Sequence, residues 1–201
     1  MTKLPSTVGV VSRAEIGVRP ARIFVALRIA PEIAQELAQH GKGLEQFSVR
    51  LVPPADIHLT LVPPWNEVSI SNAVAKLRRV AETSVAFTLA FRHISYGPEP
   101  RRPRFLWAEC VASNELAELR AALLRAFGQM DERPFRPHVT LARLRNKERA
   151  IARKHPINRD LAFTQRVETI ALMQSPPAGG GGYKVLALLP LGANPELVSG
   201  A

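Results

Sequence analysis

A single cysteine, Cys110, is all the thiol this 201-residue chain carries. No intramolecular disulfide and no cysteine-based metal cluster can form. There is no uninterrupted apolar run of about 18 residues, the length a helix needs to cross a bilayer. The first residues lack a basic stretch followed by an apolar core, the pattern of a secretory signal. These absences lead to the expectation of a cytoplasmic protein with no membrane partner. Metal-ligand spacings such as HExxH or DxD are missing too. The glycines at 179–182 lack the Lys-Ser/Thr and helix of a phosphate loop, and Ser84, Ser95 and Ser175 lie in no nucleophile-elbow context.

Acidic residues are scarce: 17 Asp and Glu stand against 27 Lys and Arg, a formal net charge of +10. An excess of this size suits a polyanionic partner, nucleic acid being the commonest, although an Arg-rich proteome produces the same figure. The distribution favours a partner. Residues 133–154 carry Arg133, Arg136, Arg143, Arg145, Lys147, Arg149, Arg153 and Lys154 against Glu148 alone. An apolar content of 46% is that of an ordinary globular domain.

Residues 1–20 show no periodicity and are expected to be a flexible leader, with 192–201 a tail. Between them the chain, 21–191, repeats a pattern over about 22–96 and 104–175. In the first half, Arg22–Ile29 reads as a buried strand, and Pro31 opens a helix with Ile33, Leu37 and Ala38 on one face. Ile57–Leu61 is a short strand. A helix follows with Ile70, Ala73, Val74, Leu77, Val80 and Ala81 at helical spacing, then an alternating strand over 85–91. The second half runs in the same order. Arg104–Val111 is a strand, and Ser113 caps a helix with Leu116, Leu119, Leu123 and Phe127, closed by Gly128. His138–Leu141 is a strand, Asn146 caps a short basic helix reaching about His155, and strands follow over Phe163–Gln174 and Tyr183–Pro190. The two first strands and the two first helices each start 82 residues apart. Such an offset through successive matching elements describes a pseudo-twofold molecule whose equivalent strands meet across a groove.

Two motifs occupy equivalent places 80 residues apart: His58-Leu59-Thr60-Leu61 and His138-Val139-Thr140-Leu141. On a strand, His and Thr at i and i+2 share one face while the apolar residues anchor the other. Each motif therefore presents an imidazole and a hydroxyl together. Two such motifs should arise by chance in roughly one chain per thousand at average residue usage. The remaining histidines, His40, His93 and His155, are read as ordinary surface or core residues. Paired imidazoles suit in-line substitution at phosphorus: one takes a proton from water, the other gives one to the leaving oxygen. The threonines can hydrogen-bond phosphate oxygens, and Arg143 is the nearest cation able to stabilise the developing charge.

These segments, with Pro53–Leu61, Pro103–Trp107 and Phe135–Arg145, resemble the 2H phosphoesterase superfamily. The likeness is greatest to its RNA 2′,3′-cyclic phosphodiesterases, also called 2′-5′ RNA ligases. The resemblance implies an α+β fold, bilobal and pseudo-twofold, with two antiparallel-sheet and helix lobes around a central cleft. It implies metal-independent opening of a 2′,3′-cyclic phosphate to a 2′-phosphate, without a cofactor. The partner it implies is RNA with a cyclic phosphate end (tRNA halves and small cyclic nucleotides among the candidates), acted on by a monomer. His58, Thr60, His138 and Thr140 fall on the family's catalytic positions, and Arg143 on a phosphate-binding arginine. The implied roles are acid for His58 and base for His138. Strict alternation would turn Arg143 away from His138, so its role requires the strand to end or bulge between them. Where the family has Phe-Leu-Gly, this chain has Val62-Pro63-Pro64-Trp65; Trp65 could stack on a base or pack against the prolines. Two rival readings stand beside this one: a relative acting on a small cyclic nucleotide or ADP-ribose phosphate, and a non-catalytic RNA-binding module. The basic segment favours the longer polyanion over the first rival, and the intact motifs argue against the second.

Overall fold

The computed structural model describes residues 19–47, 49–99, 102–145, 151–177 and 182–192. Ten strands and four α-helices follow one another: β1 (Ala21–Arg28), α1 (Pro31–Gln39), β2 (Val49–Leu51), β3 (His58–Glu67), α2 (Ile70–Thr83), β4 (Phe87–Gly97), β5 (Phe105–Cys110), α3 (Asn114–Phe127), β6 (His138–Leu144), α4 (Ile151–Lys154), β7 (Arg159–Asp160), β8 (Thr164–Val167), β9 (Thr169–Gln174) and β10 (Lys184–Pro190). The strands form one sheet in the order β10-β9-β1-β3-β6-β5-β4-β7, with β2 on β6 and β8 on β4. Every pairing is antiparallel. This is an α+β protein, as expected.

The halves of the sequence are not the halves of the sheet. β4, from the first half, pairs with β5 of the second, and β9 from the second half pairs with β1. Each lobe thus takes strands from the other half of the sequence, and β3 and β6 meet at the centre through the single pair Leu59↔Val139.

The alternation on β3 and β6 sorts the faces. Leu59, Leu61, Val139 and Leu141 are buried in the main core with Leu77 of α2 and Leu116, Leu119 and Leu123 of α3. A smaller cluster, Phe24, Ala26, Ala171 and Met173 with Tyr183 packed against it, is separate from that core. The helices are built as their sequences direct. Ser69 and Ser113 accept the Asn72 and Leu116 amides as N-caps, and Gly128 closes α3 at φ +59°, a conformation glycine adopts without strain.

Three expectations are corrected by length. β3 runs on to Glu67 because Pro63 and Pro64 fall in a register shift, where the ladder does not need their missing N–H. The strand expected over 163–174 is two, β8 and β9, with different partners. α4 covers only Ile151–Lys154, and its expected cap Asn146 lies outside the described residues. So do Lys147 and Arg149, residues 1–18 of the leader, 193–201 of the tail and Gly179–Gly181. No helix among the described residues is long and apolar enough to cross a membrane.

Candidate active site

The register Leu59↔Val139 sets the centre of the molecule. In an antiparallel pair it puts His58 opposite Thr140 and Thr60 opposite His138, all four on the face turned away from the core. The imidazoles therefore stand on a diagonal of that face. A cleft is lined by these four residues together with Val52, Asp56, Arg143 and Tyr183.

Arg143 reaches that cleft because β6 bulges. Leu106 pairs with Ala142 but the next residue, Trp107, pairs with Thr140, leaving Leu141 as the extra residue. Leu141 and Ala142 are both buried, the alternation is reset, and Arg143 emerges on the side of His138 and Thr140. The same bulge occurs on β3, where Val25 pairs with Val62 and Ala26 with Thr60, leaving Leu61 over. The repeat thus duplicates an irregularity as well as its regular elements. At the position equivalent to Arg143 the first motif has Pro63, so the repeat does not duplicate this cation.

Both imidazoles are held by the same device. His58 Nδ1 lies 2.6 Å from the Asp56 carbonyl oxygen and His138 Nδ1 lies 2.7 Å from that of Arg136. A carbonyl only accepts, so each Nδ1 carries the hydrogen and donates it, leaving Nε2 as the free nitrogen. Rings pack against each: Phe24 and Tyr183 against His58 at 5.0 and 4.9 Å between centroids, and Trp107 against His138 at 4.3 Å. The Trp107 indole N–H is buried without an acceptor among the described residues; what this ring contributes is contact with the imidazole.

Burial is the main reason both histidines are held below the ordinary value of 6.5. The backbone carbonyls act the other way, and the Arg143 guanidinium depresses both. Glu109 opposes the depression at His138. Its carboxylate bonds Arg136 at 2.8 Å, whose guanidinium in turn lies 5.1 Å from the centre of the Trp107 ring.

His58, Thr60, His138, Thr140 and Arg143 are therefore brought together. Trp65 is not. It is not among the residues lining the cleft; its ring packs on Phe127 of α3 at 4.8 Å, and its Nε1 donates to Glu67 at 3.2 Å. The basic segment is also less free than its sequence suggests, since Arg133 pairs with Asp131 and Arg136 with Glu109. Sequence reasoning misses four contributors: Tyr183, Asp56, Glu109 and Trp107. Trp107 and Glu109 alternate along β5 beside the second motif and could be found from that spacing. Tyr183 has no counterpart in the repeat, and nothing near it in sequence marks it.

The sequence profile of the 2'-5' RNA ligase superfamily matches residues 30–176. The chain is 31% identical over 133 residues to the RNA 2',3'-cyclic phosphodiesterase of Bacillus subtilis, covering 63% of this chain and 72% of that protein. With the protein of the same name from Archaeoglobus fulgidus it shares 27% identity over 136 residues, 65% of this chain and 77% of the other. A crystal structure of a Thermus thermophilus protein superposes with a TM-score of 0.67 at 26% identity, covering 86% of this chain and 99% of that one. The chain belongs to the 2'-5' RNA ligase superfamily, an enzymatic family with the 2H phosphoesterase fold.

Proposed function

We propose that this enzyme hydrolyses the 2′,3′-cyclic phosphate at an RNA end to a 2′-phosphate, by acid and base catalysis between His58 and His138 and without a metal ion. The observation that carries the reading is the duplicated His-Thr pair facing one cleft, with both Nδ1 atoms tied to backbone and neither Nε2 atom bonded among the described residues. His138 takes a proton from the attacking water, and the Glu109 charge across the β5–β6 ladder stabilises the imidazolium that forms. His58 delivers a proton to the departing 3′-oxygen. Burial and Arg143 disfavour its charged form, which makes it ready to give that proton up, and the bound phosphate anion is what loads it. Thr60, Thr140 and Arg143 hold the non-bridging oxygens. The relatives named RNA 2',3'-cyclic phosphodiesterase support the substrate class, as does the net charge of +10.

The test is product identity. Incubation with RNA ending in a 2′,3′-cyclic phosphate should yield a 2′-phosphomonoester, identified by phosphorus NMR. An unchanged cyclic end, or a 3′-phosphate, would contradict the reading.

A further inference from the structure

The repeat places Phe24 and Phe105 at equivalent positions, one step beyond the matching bulge pairs Val25↔Val62 and Leu106↔Ala142. Their surroundings differ. Phe24 is 1% exposed, covered by Ala171, Met173 and Tyr183. Phe105 is only half-buried, and the neighbours of its ring are two guanidiniums, Arg104 at 5.6 Å and Arg143 at 5.5 Å. An aromatic that one lobe covers is left open in the other.

Phe105 also ends a row across the sheet. Arg143 pairs with Phe105 on one side and with Arg50 of β2 on the other, and residues in register share a face. Val52 lines the cleft and continues the β2 ladder through its amide to the Leu141 carbonyl. Alternation therefore puts Arg50 on the cleft side as well. Like charges directly opposed on a ladder repel. Arg50 and Arg143 are exposed and have no carboxylate partner among the described residues, which is the arrangement an anion relieves.

We propose that Arg50, Arg143 and Phe105 form a nucleotide subsite next to the two histidines. Phe105 stacks the base of the nucleotide preceding the cyclic end, and Arg50 binds the phosphodiester joining that nucleotide to the terminal ribose. Arg143 lies between them, turned to the scissile phosphate. The inference rests on the proposed function and adds to it a reason for preferring an oligonucleotide end to a mononucleotide. A planar ring flanked by guanidiniums accepts any base, so the subsite reads strand continuity rather than sequence.

The experiment compares kcat/KM for a dinucleotide with a 2′,3′-cyclic phosphate end and for the cyclic mononucleotide carrying the same terminal base. The ratio does not depend on the fraction of protein folded. The wild type should prefer the dinucleotide, and the ratio should fall roughly tenfold, mostly through KM, in Arg50→Gln and in Phe105→Leu, a size in keeping with one stacked base or one phosphate contact. A ratio unchanged in both variants, or a wild type showing no preference, would overturn the subsite. A wild type that hydrolyses neither substrate would instead overturn the function on which it rests.

Discussion

Glu109 lies directly across the β5–β6 ladder from His138, while the equivalent place across from His58 is held by Arg28. A molecule that duplicates its histidines, threonines, bulges and backbone anchors sets a carboxylate across the ladder from one imidazole and a guanidinium across from the other. Under the proposed function, that asymmetry suits the two similar motifs to divide one reaction into a proton taken and a proton given.

The pH profile should report it. The active free enzyme holds one proton on the pair, and both imidazoles are held below 6.5, so kcat/KM should be bell-shaped with its optimum on the acid side of that value. The limbs belong to the coupled pair. Arg143 depresses both groups, so Arg143→Gln should move the optimum to higher pH. Glu109 raises His138, so Glu109→Gln should move a limb to lower pH. Profiles displaced the same way by both variants, or by neither, would contradict the charge assignment.

Gly97 lies close against the Trp107 ring. A Cβ there would overlap the six-membered ring of Trp107, which packs on His138. Gly97→Ala should cost about 1–3 kcal/mol in a denaturant melt, the usual penalty of overpacking, and should lower kcat at temperatures where the protein stays folded. A variant of full stability and activity would show that this contact does not position His138.

Much of this site is legible in the sequence, because strand alternation and an 80-residue offset depend only on local pattern. Arg143 shows where local pattern stops. Counting by twos from His138 turns it away; the bulge at Leu141 turns it back, and a bulge is decided by how β6 must meet β5 and β2. The strand exchange is hidden for a similar reason. Nothing in Phe87–Gly97 or Thr169–Gln174 specifies which lobe's edge it will pair with, since either offers an apolar face. Trp65 stands outside the cleft, where α3 offers it Phe127, a neighbour 62 residues away in sequence.

The roles of the histidines can be separated by the leaving group. His58→Ala and His138→Ala should each lose on the order of 10²–10⁴ in rate on a cyclic phosphate, the usual worth of one general acid or base. A nitrophenyl phosphodiester needs no proton on its leaving oxygen. On it His58→Ala should regain much of the lost rate and His138→Ala should not. The opposite pattern would exchange the roles, and rescue of neither would mean that both histidines chiefly bind phosphate.

Under the proposed function, two imidazoles carry out this hydrolysis without a metal ion. The most direct test of that reading is the turnover of cyclic-phosphate-ended RNA by protein dialysed against EDTA and assayed with the chelator in excess. The rate should match that of untreated enzyme, with 2′-phosphate as product. Loss of activity on chelation, restored by zinc or manganese, would contradict it.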